Sequence, residues 1–420
     1  MWNGQRRTTF FAITSAVALL ITAESSLGQI PCRYEITAII QAAECPPFGY
    51  PPTLPRGMND VGWVVGKINS CVIGPDVAFL WTPQSGLEIL EMPPGASQSR
   101  AIDINNHPDR QIVGTVDITG LGTRAFLIDG EDLIIIPPPG RGTFSSVAAL
   151  NNKRQVVGST ADGTPFSKAY IWEDGAMTII EPTFGPRSAG RAIDEAGVVV
   201  GWMGTSFGID SHAFVWHDRV LTDLRLAPNT FATWARGINN LDEVLVRGEF
   251  DEDEPTDRIN GSFLLRDGKF IDLGQLPGYD VIDGTDLNDQ SQIVGLARAV
   301  ESSDEPDVGF IWHNRVMHNL NDLLPMGSQL HIQRAEGINQ AGQITGRALD
   351  RNNDVVGFIL TPVERPIGDL DGDCAVGVSD LLLLLDSWGS CNDCAKCPAD
   401  FNDDCAVGVF DLLVLLGNWG

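Results

Sequence analysis

The residues best suited to chemistry lie near the C-terminal end of the chain, as carboxylates at fixed spacing. The run Asp369-Leu370-Asp371-Gly372-Asp373-Cys374-Ala375-Val376-Gly377-Val378-Ser379-Asp380 returns 31 residues later as Asp400-Phe401-Asn402-Asp403-Asp404-Cys405-Ala406-Val407-Gly408-Val409-Phe410-Asp411. Side-chain oxygens stand at positions 1, 3, 5 and 12 of each run, and a backbone carbonyl at position 7 can join them. That is the ligand spacing a hard cation such as calcium needs. Two copies in register make it a strong signal.

Each loop leads into a leucine-rich segment, Leu381 to Leu385 with Trp388 and Leu412 to Leu416 with Trp419. These segments predict two short helices. The position-12 aspartate would sit at the positive end of each, and the leucines would pack helix on helix. Position 6 of such a loop takes glycine because its φ is positive, yet both loops carry cysteine there, at a cost on the order of 1 kcal/mol. Cys374 and Cys405 are therefore expected in disulfides, with each other or with the segment containing Cys391, Cys394 and Cys397. Zinc held by those last three cysteines is the rival reading, and it requires a fourth ligand and a reducing compartment.

This pair of half EF-hands resembles a type I dockerin over Ile367 to Gly420. The resemblance implies one calcium held by Asp369, Asp371, Asp373, the Ala375 carbonyl and Asp380. It implies a second held by Asp400, Asn402, Asp404, the Ala406 carbonyl and Asp411. Position 9 is Gly377 or Gly408, so water serves there. It further implies attachment to a cohesin-like or other surface protein through residues 367–420. Positions 10 and 11 are Val378-Ser379 and Val409-Phe410, where dockerins of cellulose-degrading complexes commonly show Ser-Thr.

Most of the chain before this module repeats a different pattern. Its clearest copy reads Leu150-Asn151-Asn152, Gln155-Val156-Val157-Gly158, Ala169-Tyr170-Ile171-Trp172 and Met177-Thr178-Ile179-Ile180. Short β-branched or aromatic blocks separated by Asn, Gly and charged residues predict strands joined by tight turns. An Asn or Asp turn marks seven copies, at Asn59, Asn105, Asn151, Asp194, Asn239, Asn288 and Asn339. Gly66, Gly114, Gly158 and Gly201 recur at steps of 48, 44 and 43 residues, the size of a four-stranded propeller blade. The last copy lacks a final strand, and an orphan strand, Tyr34 to Ile40, precedes the first. If the orphan completes the last copy, a ring of seven blades closes and no sheet edge is left open. The predicted fold is mainly β, a seven-bladed β-propeller over 29–362, with residues 363–366 as linker and a small α-helical calcium module over 367–420. An open β-solenoid also explains the repeats, though not the displaced strand. His212-Ala213-Phe214-Val215-Trp216 and its relatives resemble the HAF extracellular repeats of exported bacterial proteins, which implies exported repeat architecture and no particular activity. Trp81, Trp172, Trp216 and Trp312 share one repeat position and are expected in the core. Trp234 falls outside that register and is the best candidate for an exposed aromatic. The acidic run 251–257 reads as a solvated loop, with calcium capture as the alternative.

The N-terminus carries Arg6 and Arg7, an apolar run from Phe10 to Ile21 and then Ser26-Leu27-Gly28, the order of a secretory signal over residues 1–28. The chain is expected to be extracellular or at the cell surface, where disulfides are permitted. Cys32, Cys45 and Cys71 lie early and five cysteines lie late, so either a bridge joins the two ends or two thiols are left over. A net charge of -27 over 420 residues argues against nucleic acid as a partner.

There is no His-Glu-x-x-His and no phosphate loop, and the six histidines are scattered. The sequence therefore reads as a binding or scaffold protein with a possible glycan ligand. The alternatives are a polysaccharide hydrolase or lyase carried by a dockerin, and a structural protein of the cell surface.

Overall fold

The computed structural model describes residues 31–44, 50–70, 74–205, 210–225, 227–250, 260–299, 306–391, 393–394 and 397–420. The expected signal segment, Cys45, Cys71 and the acidic run 251–257 lie outside the described residues. The structure is mainly β and propeller-like, built from four-stranded antiparallel units. Five of these are separate sheets, one of them completed by the orphan strand; two more are joined into one sheet by a single parallel bridge, Asn260 to Val281.

The first strands of the seven units run Thr53–Met58, Ala96–Ile104, Ser145–Leu150, Arg187–Ile193, Thr230–Ile238, Val281–Leu287 and His331–Ile338. The second strand carries the Val-Val-Gly signal and the third the aromatic. They pair so that Gly66 opposes Phe79, Gly114 opposes Phe126, Gly158 opposes Tyr170 and Gly201 opposes Phe214. Glycine is required there because of close approach. A Cβ on Gly114 would stand 2.2 Å from the Arg100 carbonyl oxygen and 2.3 Å from the Phe126 ring. The fifth unit has Val246 at that place, opposite Phe263.

Cores form between neighbouring units rather than within one. Val65, Ala78 and Leu80 of the first unit pack with Ala101, Ile112 and Phe126 of the second. The four register tryptophans all pair with the first residue of the Val-Val-Gly strand, but only Trp172 and Trp312 are fully buried, while Trp81 and Trp216 are half-buried. Trp234 lies on a first strand, half-buried, with the Arg247 guanidinium 5.7 Å from its ring centre.

The displaced strand is where the repeat pattern puts it. Arg33–Ile40 pairs antiparallel with Val355–Val363, completing the last unit. Ile40 and Ile359 of that unit pack against Val64, Ile68 and Phe79 of the first.

The turn residues link the units. Nδ2 of Asn59 donates to the Asn105 carbonyl, Asn105 to Asn151 and Asn151 to Asp194, at 2.9 to 3.1 Å. Asn239 donates to Asn288, Asn288 to Asn339, and Asn339 back to Asn59, each at 3.1 Å. Asp194 has no amide to donate, so this series has one gap. A second series has none. The backbone N–H of Asp60, Asn106, Asn152, Glu195, Asn240, Asp289 and Gln340 each donates to the side-chain oxygen of its counterpart in the next unit, and Gln340 returns to Asp60.

Two substitutions test these links. Asp194→Asn supplies the missing donor and should stabilise the fold by about 1 kcal/mol. Asn339→Ala removes a buried side chain that donates to Asn59 and accepts from Ala341 and Gln343, and should cost about 3 kcal/mol. Chemical denaturation reads both; Asp194→Asn below wild type, or a harmless Asn339→Ala, would contradict the assigned role.

Candidate functional site

The C-terminal loops adopt the predicted local geometry. Cys374 and Cys405 have φ of 71° and 65°, the left-handed conformation expected at position 6. Their partners are only partly as expected. Cys405 bonds Cys394 of the intervening segment, but Cys374 bonds neither that segment nor Cys405; it bonds Cys32, 342 residues away. One bridge thus joins the start of the chain to the first loop. Cys391 bonds Cys397, so none of the three segment cysteines offers a free thiolate to zinc.

In the first loop, carboxylate oxygens of Asp369, Asp371 and Asp373 lie within 4.8 Å of one another. Asp369 is buried and accepts N–H bonds from Gly372 and Cys374. Arg365 also reaches it, with Nε 3.1 Å from Oδ2. Asp380 stands outside that convergent group and ties the loop to the helix, α1 (Val378–Asp386). Its Oδ1 accepts from Leu370 and Asp371 and its Oδ2 from Gly377. Burial pushes its carboxyl up, but these N–H bonds outweigh it and hold Asp380 below the usual range.

The second loop repeats the plan. Asp400 accepts from Asp404 and Cys405, and Asn402 donates to Asp404. Asp411 accepts from Phe401 and Gly408 at the start of α2 (Val409–Gly417). Cys391 N donates to Cys405 O, which makes Ser390 and Ala406 a non-hydrogen-bonded pair. The Ala406 N–H turns into its own loop and donates to Asp404. These oxygens suit a hard cation; the Cys391 and Cys397 sulfurs lie within 4.8 Å of an Asp400 oxygen, but they are spent in a disulfide.

The leucines are less completely packed than the sequence predicts. Leu384 and Leu415 are buried against Val376, Ala399 and Val407. Val378, Leu382 and Leu385 on α1 with Trp388 just beyond it, and Val409, Leu413 and Leu416 on α2 with Trp419 just beyond it, are exposed. A nine-residue helix in a two-helix module buries one stripe, and both sequences are apolar around more than that stripe.

A second site escaped the sequence reading. Each first strand has a β-bulge three residues before its turn Asn or Asp, and the bulge residues face a central cavity of about 330 Å³. They are Arg56, Arg191 and Arg236, Ile102 and Ala148, Thr285, and Glu336. Asp103 and Asp286 follow two of the bulges and line the cavity as well. The signal was available as the third residue before each repeat marker, but a strand read with period two gives no reason to expect it inward. One catalytic string was also passed over. Gly204-Thr205-Ser206-Phe207-Gly208 has nucleophile-elbow spacing and lies in sequence between Val199–Gly204 and His212–His217, two strands that pair antiparallel in one sheet. Residues 206–209 lie outside the described residues.

No protein-family model matches the chain, and no curated protein matches it. Among solved structures, an acylaminoacyl peptidase of Pyrococcus horikoshii is 10% identical with a TM-score of 0.47, covering 77% of this chain and 51% of its own. A structure from a study of two prolyl endopeptidases is 7% identical with a TM-score of 0.47, covering 80% of this chain and 52% of its own. TolB from Acinetobacter baumannii is 12% identical with a TM-score of 0.37, covering 71% of this chain and 80% of its own. The chain spans about half the length of the two peptidase structures.

Burial pushes Asp103 up to about 6 and Asp286 up to about 7, against N–H bonds that lower them from Leu150 and Ile104, and from Ile338 and Leu287. Both values lie above the unfolded value near ~3.9, so the folded state holds extra protons between about pH 4 and about pH 7 and loses stability as pH rises through that window. Full ionisation of Asp286 costs on the order of 4 kcal/mol. Melting of Asp286→Asn from about pH 5 to about pH 8 should therefore fall less steeply than that of the wild type. Identical slopes would show that Asp286 is not a source of the dependence.

Proposed function

We propose that the chain is an exported binding protein without catalytic activity. In this reading residues 29–362 form a seven-bladed β-propeller, and residues 367–420 form a dockerin-like module that holds two calcium ions. The module attaches the propeller to a cohesin-like or other surface protein, outside the cell or on its surface. The observation that carries the reading is the convergence of Asp369, Asp371 and Asp373 at the root of a helix whose outer face is apolar and exposed. Calcium bound there would neutralise the clustered carboxylates and fix the helix starts, and so the orientation of the two exposed faces.

The series of hydrogen bonds from each unit to the next, returning from Asn339 and Gln340 to Asn59 and Asp60, supports a ring rather than an open solenoid. Disulfides among the described cysteines are compatible with an oxidising compartment. Because Cys374 is bonded to Cys32, the module should be studied in the full exported chain rather than as an excised fragment.

Metal analysis after equilibrium dialysis should find two calcium ions per chain, and one for Asp371→Ala. No bound calcium at millimolar free ion would refute the module's assignment. Arg365 lends positive charge to Asp369, so Arg365→Ala should tighten the first site severalfold and leave the second unchanged; weaker binding would mean that Arg365 organises the loop instead. Capture from secreted and envelope fractions with the full chain, in calcium and again in chelator, tests attachment. A protein retained only with calcium is the expected result.

A further inference from the structure

The protein carries a net charge of -27, yet its central cavity is lined by four arginines. Three are on bulges, Arg56, Arg191 and Arg236, and Arg334 lies two residues before the bulge residue Glu336. Their pairing is uneven. Glu336 takes Arg56 at 3.4 Å and Arg334 at 3.0 Å, and Asp283 takes Arg236 at 3.5 Å and Arg334 at 3.6 Å. Among the described residues no carboxylate pairs with Arg191. Arg236 lines the same cavity, and its Nε is buried without a hydrogen-bond partner among the described residues. Two guanidinium groups facing one space with unspent donors are a fork for a planar anion.

The remaining lining restricts which anion fits. Asp103, Asp286 and Glu336 share the cavity, and Thr285 adds a hydroxyl. A dianion such as phosphate would meet repulsion from that wall, whereas hydroxyl groups on a singly charged ligand would donate to it. The volume, about 330 Å³, is at the small end of ligand pockets and suits one or two sugar rings.

We propose that the cavity is a binding site for a hydroxylated monocarboxylate, a sugar acid, whose carboxylate is held by Arg191 and Arg236 and whose hydroxyls donate to the acidic wall opposite. This assigns the interior of the repeat domain a ligand class of its own, and it does not depend on calcium at the C-terminal loops.

Calorimetric titration of the full chain with galacturonate and digalacturonate, in metal-free buffer, tests it. At least one should bind. Galactose, which lacks the carboxylate, should bind at least about tenfold more weakly, a difference of about 1.4 kcal/mol. Arg191→Gln should weaken binding by about tenfold or more, and Arg191→Lys should restore part of it, since charge returns without the planar fork. Among the described residues Arg191 has no carboxylate partner to lose, so unchanged melting of both variants is expected and separates a binding defect from unfolding. Absence of binding by both acids up to about ten millimolar overturns the proposal, as does equal binding of galactose. Binding of phosphate or acetate in place of the sugar acids would reduce the cavity to an unspecific anion site, and wild-type affinity in Arg191→Gln would place any ligand elsewhere.

Discussion

The turn asparagine is the constraint on which the repeat domain rests. A side-chain amide has two donor hydrogens and an acceptor oxygen, and here each is used in a different direction. In Asn151, for example, the oxygen accepts from Lys153 and Gln155 of its own turn, while the amide donates to Gln155 Oε1 and across to Asp194 of the next unit. The residue thus fixes the turn and its neighbour together. A single cross-unit hydrogen bond contributes about 1 kcal/mol. Because each is repeated from unit to unit and the last returns to the first, loosening one joint strains the rest. Asp194 shows which part is essential: a carboxylate retains the turn, accepting from Val198, but gives up the amide donor. The outer series, through Glu195 and Asn240, then carries that joint.

Much of this architecture is legible in sequence because it is local and repeated. The Val-Val-Gly strand is visible as a string, and its physical reason, a glycine forced by an opposing aromatic and a close carbonyl, is the same at Gly114 and Gly295. The displaced strand was inferable by subtraction, since the last unit lacked what the first had spare. Burial of the register tryptophans was less so. Trp81 and Trp216 occupy the same register as Trp172 and Trp312 but remain half-buried, so register alone does not set burial.

The C-terminal module shows a different limit. Position 6 of each loop can be recognised as a left-handed site from the loop pattern alone, and a cysteine there asks for a restraint. Which cysteine supplies it is a question of distance in three dimensions. Cys405 finds Cys394 within its own module, whereas Cys374 finds Cys32 beside the strand that completes the last repeat unit. That bridge couples the two parts of the chain: the residue that strains the first loop also anchors the N-terminal strand. The exposed helix faces were likewise beyond reach, since sequence counts leucines but not the number of neighbours available to cover them.

Where repeats are near-copies, function has to reside in the positions at which the copies differ. The Asn and Gly positions vary little and hold the units together; the bulge position reads Arg, Ile, Ala, Arg, Arg, Thr, Glu around the seven units. Contact between the first and last units converts that variation into a three-dimensional pattern, because residues as far apart as Arg56 and Glu336, 280 positions in sequence, become neighbours. The bulge turns the variable side chain inward, out of the alternation that buries or exposes the rest of the strand. Charge can then be concentrated against the sign of the whole molecule: the cavity is narrow and walled by protein, so its field is set by the few groups that line it more than by the net charge outside. An acidic exterior and a cationic sector inside are therefore compatible, and Arg191, without a carboxylate partner among the described residues, is where the two are least balanced.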